Sequence, residues 1–315
     1  GAGPRHSRRR RGEGREGEPG EAAGGPVPEV LLHWREMPKA RAEALTKAHP
    51  RLIYCSISGY GETGPYRDQK AYDMLIQGES GLLAINGTPE ASARVGISIC
   101  DITAGMTAFA AILQSLLARA STGQGRVIEV SLFQAIADWM NVPYLQTRYG
   151  KRPPRRVGVR HPSIAPYGSF TCKDGKAVLL SIQNEREWTR LCADVLGQPG
   201  LAADPRFSRN MDRVKNSIIL DGIIADVLGR LPREEAIGVL TRAGIACGRL
   251  SDMDDLVAHP QNRLIEADTP SGPIEMLAPG ASFAEEESFG PVPALSGDTE
   301  RVKSAFAARQ KKLGT

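Results

Sequence analysis

The 315-residue sequence predicts an α/β protein built of two bodies, and three observations carry that expectation. Helix-forming stretches alternate with short β-branched and apolar runs through the first half of the chain, the pattern of helices laid against a sheet. A glycine-rich loop, 59–64, directly follows the most strand-like of those runs. Residues 151–164 are rich in Arg and Pro with little periodicity, and beyond them hairpin and helix signals resume.

Taken in order, residues 1–40 form an atypical tail. Residues 1–25 hold eight Gly and, Pro aside, no apolar side chain larger than Ala, so they are expected to be disordered. Helix formers fill 41–47, Pro50 ends them, and 51–58 has strand composition up to Gly59. A helix is predicted over 73–83 and a longer buried one over 104–119. Thr122-Gly-Gln-Gly125 then turns the chain into an alternating strand over 126–131. The basic segment after Gly150 reads as a linker or mobile loop. Strands at 168–171 and 177–181 turn at Lys173-Asp174-Gly175, and helices follow over 185–195, 217–231 and 233–242, which makes a smaller α+β body of 165–268. Residues 271–295 are rich in Pro, Gly and short apolar runs, and 299–312 returns to helix composition.

Composition excludes several classes. Apolar residues make up 41% and charged residues 24%, enough to bury a sizeable core, so wholesale disorder is excluded. The formal charge is +4, of which six Arg and four Glu in the first 25 residues supply +2, and the nearly neutral remainder offers no broad field for nucleic acid. The five cysteines are widely spaced without CxxC or paired-His spacing, which points to neither a disulfide framework nor a metal site and fits a reducing, cytoplasmic setting, with a mitochondrial one left open for a eukaryotic source. The longest apolar run, 102–118, is interrupted by Thr103, Thr107, Gln114 and Ser115, so it reads as a buried helix and no membrane anchor is expected.

Two features bear on chemistry. In Ser58-Gly-Tyr-Gly-Glu-Thr-Gly-Pro65, the glycines Gly59, Gly61 and Gly64 let backbone approach a ligand and turn N–H groups toward an anion, although a plain turn has the same composition. Asp101 stands immediately before the long apolar helix. It reads either as an N-cap or as a nucleophilic carboxylate at the end of a buried element, and position alone supports both. His49 reads as a helix-end residue, and Cys55 and Cys100 as small buried apolar residues.

Tyr54-x-x-Ile-Ser-Gly-Tyr-Gly-x-x-Gly-Pro65, Ala71-Tyr-Asp73 with Gln77-x-x-Ser-Gly81, Asp101-x-x-x-Gly105 and Thr122-Gly-Gln-Gly125 form an ordered set. Arg160-His-Pro-x-x-x-Pro-Tyr167, Gly244-Ile-Ala-Cys-Gly248 and Ala258-His-Pro260 continue it. Over about 41–305 this set resembles the family III CoA-transferases, which include formyl-CoA transferase and carnitine CoA-transferase and share a fold with the α-methylacyl-CoA racemases. The resemblance implies a Rossmann-like large domain of 41–150 completed by the C-terminal segment 269–315, an intertwined homodimer, and acyl-CoA and carboxylic acid substrates with no tightly bound cofactor. It places the catalytic aspartate at Asp101, the CoA or substrate site at Gly59, Gly61, Gly64, Lys70, Tyr72, Asp73 and His161, and no metal. Lys70 would pair with phosphate and Tyr72 would pack along CoA, against a solvated Lys and a core Tyr; for His161 a hinge or packing role stands beside acid–base work. The racemase branch carries a His before the residue matching Asp73, where Tyr72 stands here, so racemase or epimerase activity is the alternative. The family's first nucleotide-binding half and its Pro-Gly turn with a following Arg are not recognisable, which implies a truncated member, non-catalytic in a third reading. The basic residues Arg148, Lys151, Arg152, Arg155, Arg156 and Arg160 suggest a dicarboxylic acid such as succinate, or else a solvated linker.

Overall fold

The computed structural model describes residues 30–33, 39–283 and 289–304. The tail expected to be disordered over 1–25 and the far part of the helix expected over 299–312 lie outside the described residues. Two compact units divide the chain. Among described residues the larger holds 30–33, 39–266 and 275–283, and the smaller holds 267–274 and 289–304.

The larger unit opens with β1 (Val30–His33), α1 (Lys39–Ala48), β2 (Ile53–Ser58), α2 (Asp73–Glu79), α3 (Leu82–Ile85), α4 (Ile99–Thr122), β3 (Val127–Ser131), α5 (Leu132–Trp139) and α6 (Asn141–Arg148). Its three strands form a parallel sheet in the order β1-β2-β3, with Leu32 opposite Cys55 and Cys55 opposite Ile128. The central strand β2 is buried from Ile53 to Ile57, as a parallel strand covered on both faces must be. Cys55, Ile57 and Val130 pack against α4, whose Cys100, Ala104 and Ala108 fall four residues apart on one face. Small side chains at those positions bring the helix close to the sheet. Gly123, at φ 69°, ends α4 with its N–H on Arg119 O at 2.9 Å, the left-handed stop that the Thr-Gly-Gln-Gly turn predicts.

Three expectations need correction here. The helix predicted over 73–83 is two helices, because Gly81 takes φ 81° and no helix continues through that conformation. The long helix begins at Ile99 and not near residue 104, so Ser98 occupies the N-cap position and Asp101 is the third helical residue. The N-cap reading of Asp101 is thereby replaced by a place in the first turn. By length and composition α4 is apolar enough to cross a membrane, and in this fold its Cys100 face is spent on the sheet.

The same unit continues with β4 (Tyr167–Thr171), β5 (Ala177–Ser181), α7 (Glu185–Arg190), α8 (Asn210–Lys215), α9 (Ser217–Leu228), α10 (Arg233–Arg242), β6 (Ala246–Arg249) and α11 (Met253–Val257). An antiparallel sheet in the order β4-β5-β6 covers a core of Val178, Leu180, Trp188, Leu220, Ile224 and Leu240. Alternation in β5, with Val178 and Leu180 inward, is the two-residue period of a half-buried strand. The helix expected over 185–195 is α-helical only to Arg190; a π-helical turn, Leu191–Val195, then keeps Leu191, Cys192 and Val195 on the core. The helix expected to reach 231 ends at Leu228, where Gly229 follows.

A last two-stranded sheet pairs β7 (Leu264–Thr269) with β8 (Gly272–Leu277), and β8 falls in the stretch read as rich in Pro, Gly and short apolar runs. In the smaller unit Thr269 Oγ1 donates to Gly272 O at 2.6 Å, Val292 N–H donates to Asp268 O at 2.8 Å, and residues 299–304 are helical.

Candidate active site

The first turn of α4 is the best-defined part of the site. Asp101 is half-buried there, and burial, followed by the nearby Asp73 carboxylate, raises its carboxyl above the ordinary aspartate range. Asp73, the buried first residue of α2, accepts the Cys100 N–H on Oδ1 at 2.8 Å and Gln77 Nε2–H on Oδ2 at 2.7 Å. It therefore satisfies a first-turn amide of α4 from a neighbouring helix. The Cys100 thiol is buried and pushed up to about 12 by desolvation and then by Asp73, so it is protonated and no nucleophile.

At the carboxyl end of β2 the glycine loop is closed by its own hydrogen bonds. Gly61, at φ 100°, donates its N–H to Ser58 Oγ at 3.0 Å; Glu62 N–H donates to Glu129 Oε1; and Ser56 Oγ donates to Glu62 Oε1 at 3.0 Å. Gly64 takes φ 91° at the loop's exposed end. A Cβ on Gly59 would collide with Ala71 Cβ, so glycine is required for the loop to lie against the 70–72 segment. That contact brings Gly59 beside the residue flanked by Lys70 and Tyr72. Both flanking side chains are exposed, Tyr72 by 70% although it precedes a buried helix turn. A polar cavity of about 440 Å³ opens beside the loop, lined by Tyr60, Gly61, Thr63, Thr107, Glu129 and Gln134 among others. Its place, outside the carboxyl ends of parallel strands, is where α/β sheets hold ligands.

The description "CoA-transferase family III" matches residues 35–299 of this sequence. The chain belongs to that family. Among curated relatives it is 33% identical over 279 residues to an acetyl-CoA:oxalate CoA-transferase of Acetobacter aceti, covering 86% of this chain and 70% of that protein. It is 32% identical over 223 residues to a succinate–glutarate CoA-transferase of Agrobacterium fabrum, covering 70% of this chain and 54% of that protein. The chain thus spans between about half and 70% of the length of these relatives. A CaiB/BaiF family protein from Brucella suis has a similar structure, with a TM-score of 0.76 and 27% identity over 88% of this chain and 75% of that one.

The family III segment around His161 is hydrogen-bonded on both sides within the larger unit. Arg156 donates to Thr88 O at 2.9 Å, Gly158 N–H donates to Gly87 O at 2.9 Å, and Arg160 pairs with Asp221 at 2.7 Å. Asn210 holds Ala165 N–H and Ser163 O, and the buried Arg213 donates to Ala165 O at 2.8 Å. The segment expected to be a linker or mobile loop is thus hydrogen-bonded to elements before and after it. His161 accepts the Ser163 N–H on Nδ1 at 3.2 Å and packs its ring by Tyr167. Among the described hydrogen bonds none joins it to Asp101, Asp73 or the glycine loop. Among the described residues no group of His, Cys, Asp and Glu is arranged to hold a metal.

Sequence reasoning missed two residues of this site. Glu129 was read only as part of a strand, and nothing local marks it as the acceptor for the Glu62 amide 67 residues earlier. Gln77 was visible as a motif residue without a role; a polar residue on the helix face shared with Ile76 was the available signal.

Proposed function

We propose that this chain moves CoA from an acyl-CoA donor to a free carboxylic acid, with Asp101 as the covalent nucleophile. The observation that carries the reading is the Asp101 carboxylate itself, half-buried in the first turn of α4 with its neighbouring amide held by Asp73. The helix dipole favours its ionised form, while desolvation keeps that carboxylate basic and reactive. It attacks the thioester carbonyl and CoA leaves as thiolate, giving an acyl-aspartyl anhydride. The thiolate then attacks the aspartyl carbonyl, releasing the donor acid and leaving an aspartyl-CoA thioester. An incoming carboxylate repeats the two steps in reverse, so the acyl acceptor departs as a thioester and Asp101 is regenerated. An anhydride remains reactive enough for each step to run both ways, whereas a serine ester would lie lower and turn over more slowly. Water competes for the anhydride, and we assign its exclusion to the glycine loop, which the close packing of Gly59 on Ala71 holds against the 70–72 segment. Lys70 and Tyr72 are assigned to CoA on their exposure beside that contact.

For the acceptor we favour a dicarboxylic acid. Relatives named for oxalate and for succinate and glutarate support this, and so does the basic segment. Of its cations, Arg156 is engaged with backbone carbonyls, Arg160 with Asp221, and Arg148 with the Tyr144 and Tyr149 rings, which leaves Arg152 and Arg155 as the guanidinium candidates. A homodimer belongs to the same reading. The exposed row Ile102, Met106, Phe109, Leu113 and Leu117 on α4 supports it, and sedimentation analysis tests it.

Incubation with succinyl-CoA and a panel of carboxylates, followed by mass spectrometry of the thioesters, tests the activity. New thioesters are expected. Exchange of the α-hydrogen with deuterated solvent without movement of CoA would replace transfer by racemisation. Arg152→Ala or Arg155→Ala should raise the KM for succinate roughly ten- to a hundredfold and leave that for butyrate unchanged.

A further inference from the structure

We propose that Gln77 is a positioning residue for Asp101, acting through the Asp73 carboxylate and the Val95 peptide; the inference rests on Asp101 being the nucleophile. Gln77 is fully buried and its amide is completely engaged. Nε2 donates to Asp73 Oδ2 at 2.7 Å, Oε1 accepts the Val95 N–H at 2.9 Å, and Nε2 lies 3.4 Å from Val95 O. Asp73 in turn accepts the Cys100 N–H at 2.8 Å. One chain of directional bonds thus runs from the loop at Val95, through two side chains of α2 one turn apart, to the amide of Cys100, the residue before Asp101.

Burial of α2 does not need this arrangement, because Ile76 already fixes that helix to the core and an apolar residue at 77 would fill the same volume. The polarity of the chain is what it contributes. Val95 needs an acceptor and Asp73 a donor, so the Gln77 amide has one orientation, which sets the rotamer of Asp73 and with it the first turn of α4.

The test exploits that polarity. In Asp73→Asn the new amide donors face the Gln77 amide donors, and in Gln77→Glu two carboxylates meet. The double variant Asp73→Asn/Gln77→Glu restores the three short bonds and gives up only the 3.4 Å contact to Val95 O: Asn donates to Glu, Glu accepts the Val95 N–H, and Asn Oδ1 accepts the Cys100 N–H. Each folded single variant is expected to lose about tenfold or more in kcat, Gln77→Glu with its acyl-CoA KM within about twofold, and the double variant to recover its kcat to within about threefold of wild type. Should the single variants fail to fold, Gln77→Met keeps the volume and should show the same kcat loss. Full turnover by a folded Gln77→Met, or a folded double variant that stays as slow as the singles, overturns the inference while transfer by the wild-type chain keeps the nucleophile reading. A wild-type chain that forms no thioester on Asp101 removes both.

Discussion

Replacing Gly59 by Ala places one methyl group where the structure has no room for it. Gly59 lies at negative φ, so alanine is acceptable to the backbone and the effect is steric alone. The new Cβ would fall on Ala71 Cβ, far inside the roughly 3.5–4.0 Å at which two carbons rest. Either the glycine loop or the 70–72 segment must move. Overpacking of this kind costs about 1–3 kcal/mol. The Gly59 carbonyl also accepts the Phe133 N–H at 3.1 Å, and loosening that bond adds up to about 1 kcal/mol. A total of about 1–4 kcal/mol lowers the urea midpoint by roughly 0.5–2 M at ordinary slopes. The exchange Gly59→Ala/Ala71→Gly moves the methyl group from one segment to the other and should return stability to within about 1 kcal/mol of wild type, the residue being the chain entropy of the relocated glycine. Because Lys70 and Tyr72 flank Ala71, the KM for acyl-CoA should rise in the single variant and recover in the exchange. Urea unfolding and steady-state kinetics read both effects. A single variant within about 0.5 kcal/mol of wild type, or an exchange no more stable than the single variant, would refute the argument.

Asp101→Asn should melt above wild type at neutral pH. The folded carboxyl titrates above its unfolded value, so its stabilisation is present below the unfolded pKa and lost as pH rises through the folded one. Thermal melts of the two proteins should converge on acidification, and a lower melting temperature for the variant at pH 7 would contradict the strained carboxylate. Glu185→Gln leaves the buried Arg213 without its bidentate anion at 2.9 Å; because Glu185 is itself 60% exposed, the loss should be about 1–2 kcal/mol and not the larger cost of a fully buried pair. Arg213 holds the Glu185 carboxyl below its usual range, so this stabilisation is present above the unfolded pKa and disappears as pH falls through the folded one, where denaturation curves of variant and wild type should meet.

The alternation of helices and strands was readable because β2 and β5 carry apolar runs bounded by glycine, and α9 and α10 carry helical spacing. The sheet's β1 escaped notice since Val-Leu-Leu-His is too short to announce a strand without the partner β2 that gives it a register. β6 is equally short and forms on β5 from 65 residues away, a non-local pairing that no window of sequence contains. For the site, Asp101 and the glycine loop stand out by their position next to long elements. The Asp73–Gln77–Val95 chain and the Glu62–Glu129 bond depend on tertiary contacts, and the spacing of a polar residue beside Ile76 hints only at the first. Asp101's place in the helix was misread because Ser98-Ile-Cys offers weak helix formers, and it is the amide capped by Asp73 that lets α4 start early.

The central claim is that Asp101 changes bonds in every cycle. If the acceptor carboxylate carries heavy oxygen on both positions, attack on the aspartyl-CoA thioester leaves one of its oxygens in the Asp101 carboxylate when CoA departs with the acceptor acyl group. A single turnover of succinyl-CoA with labelled acceptor, followed by digestion and mass spectrometry of the peptide containing Asp101, should show one heavy oxygen on that side chain and none on Asp73. Continued transfer with an unlabelled Asp101 would contradict the account.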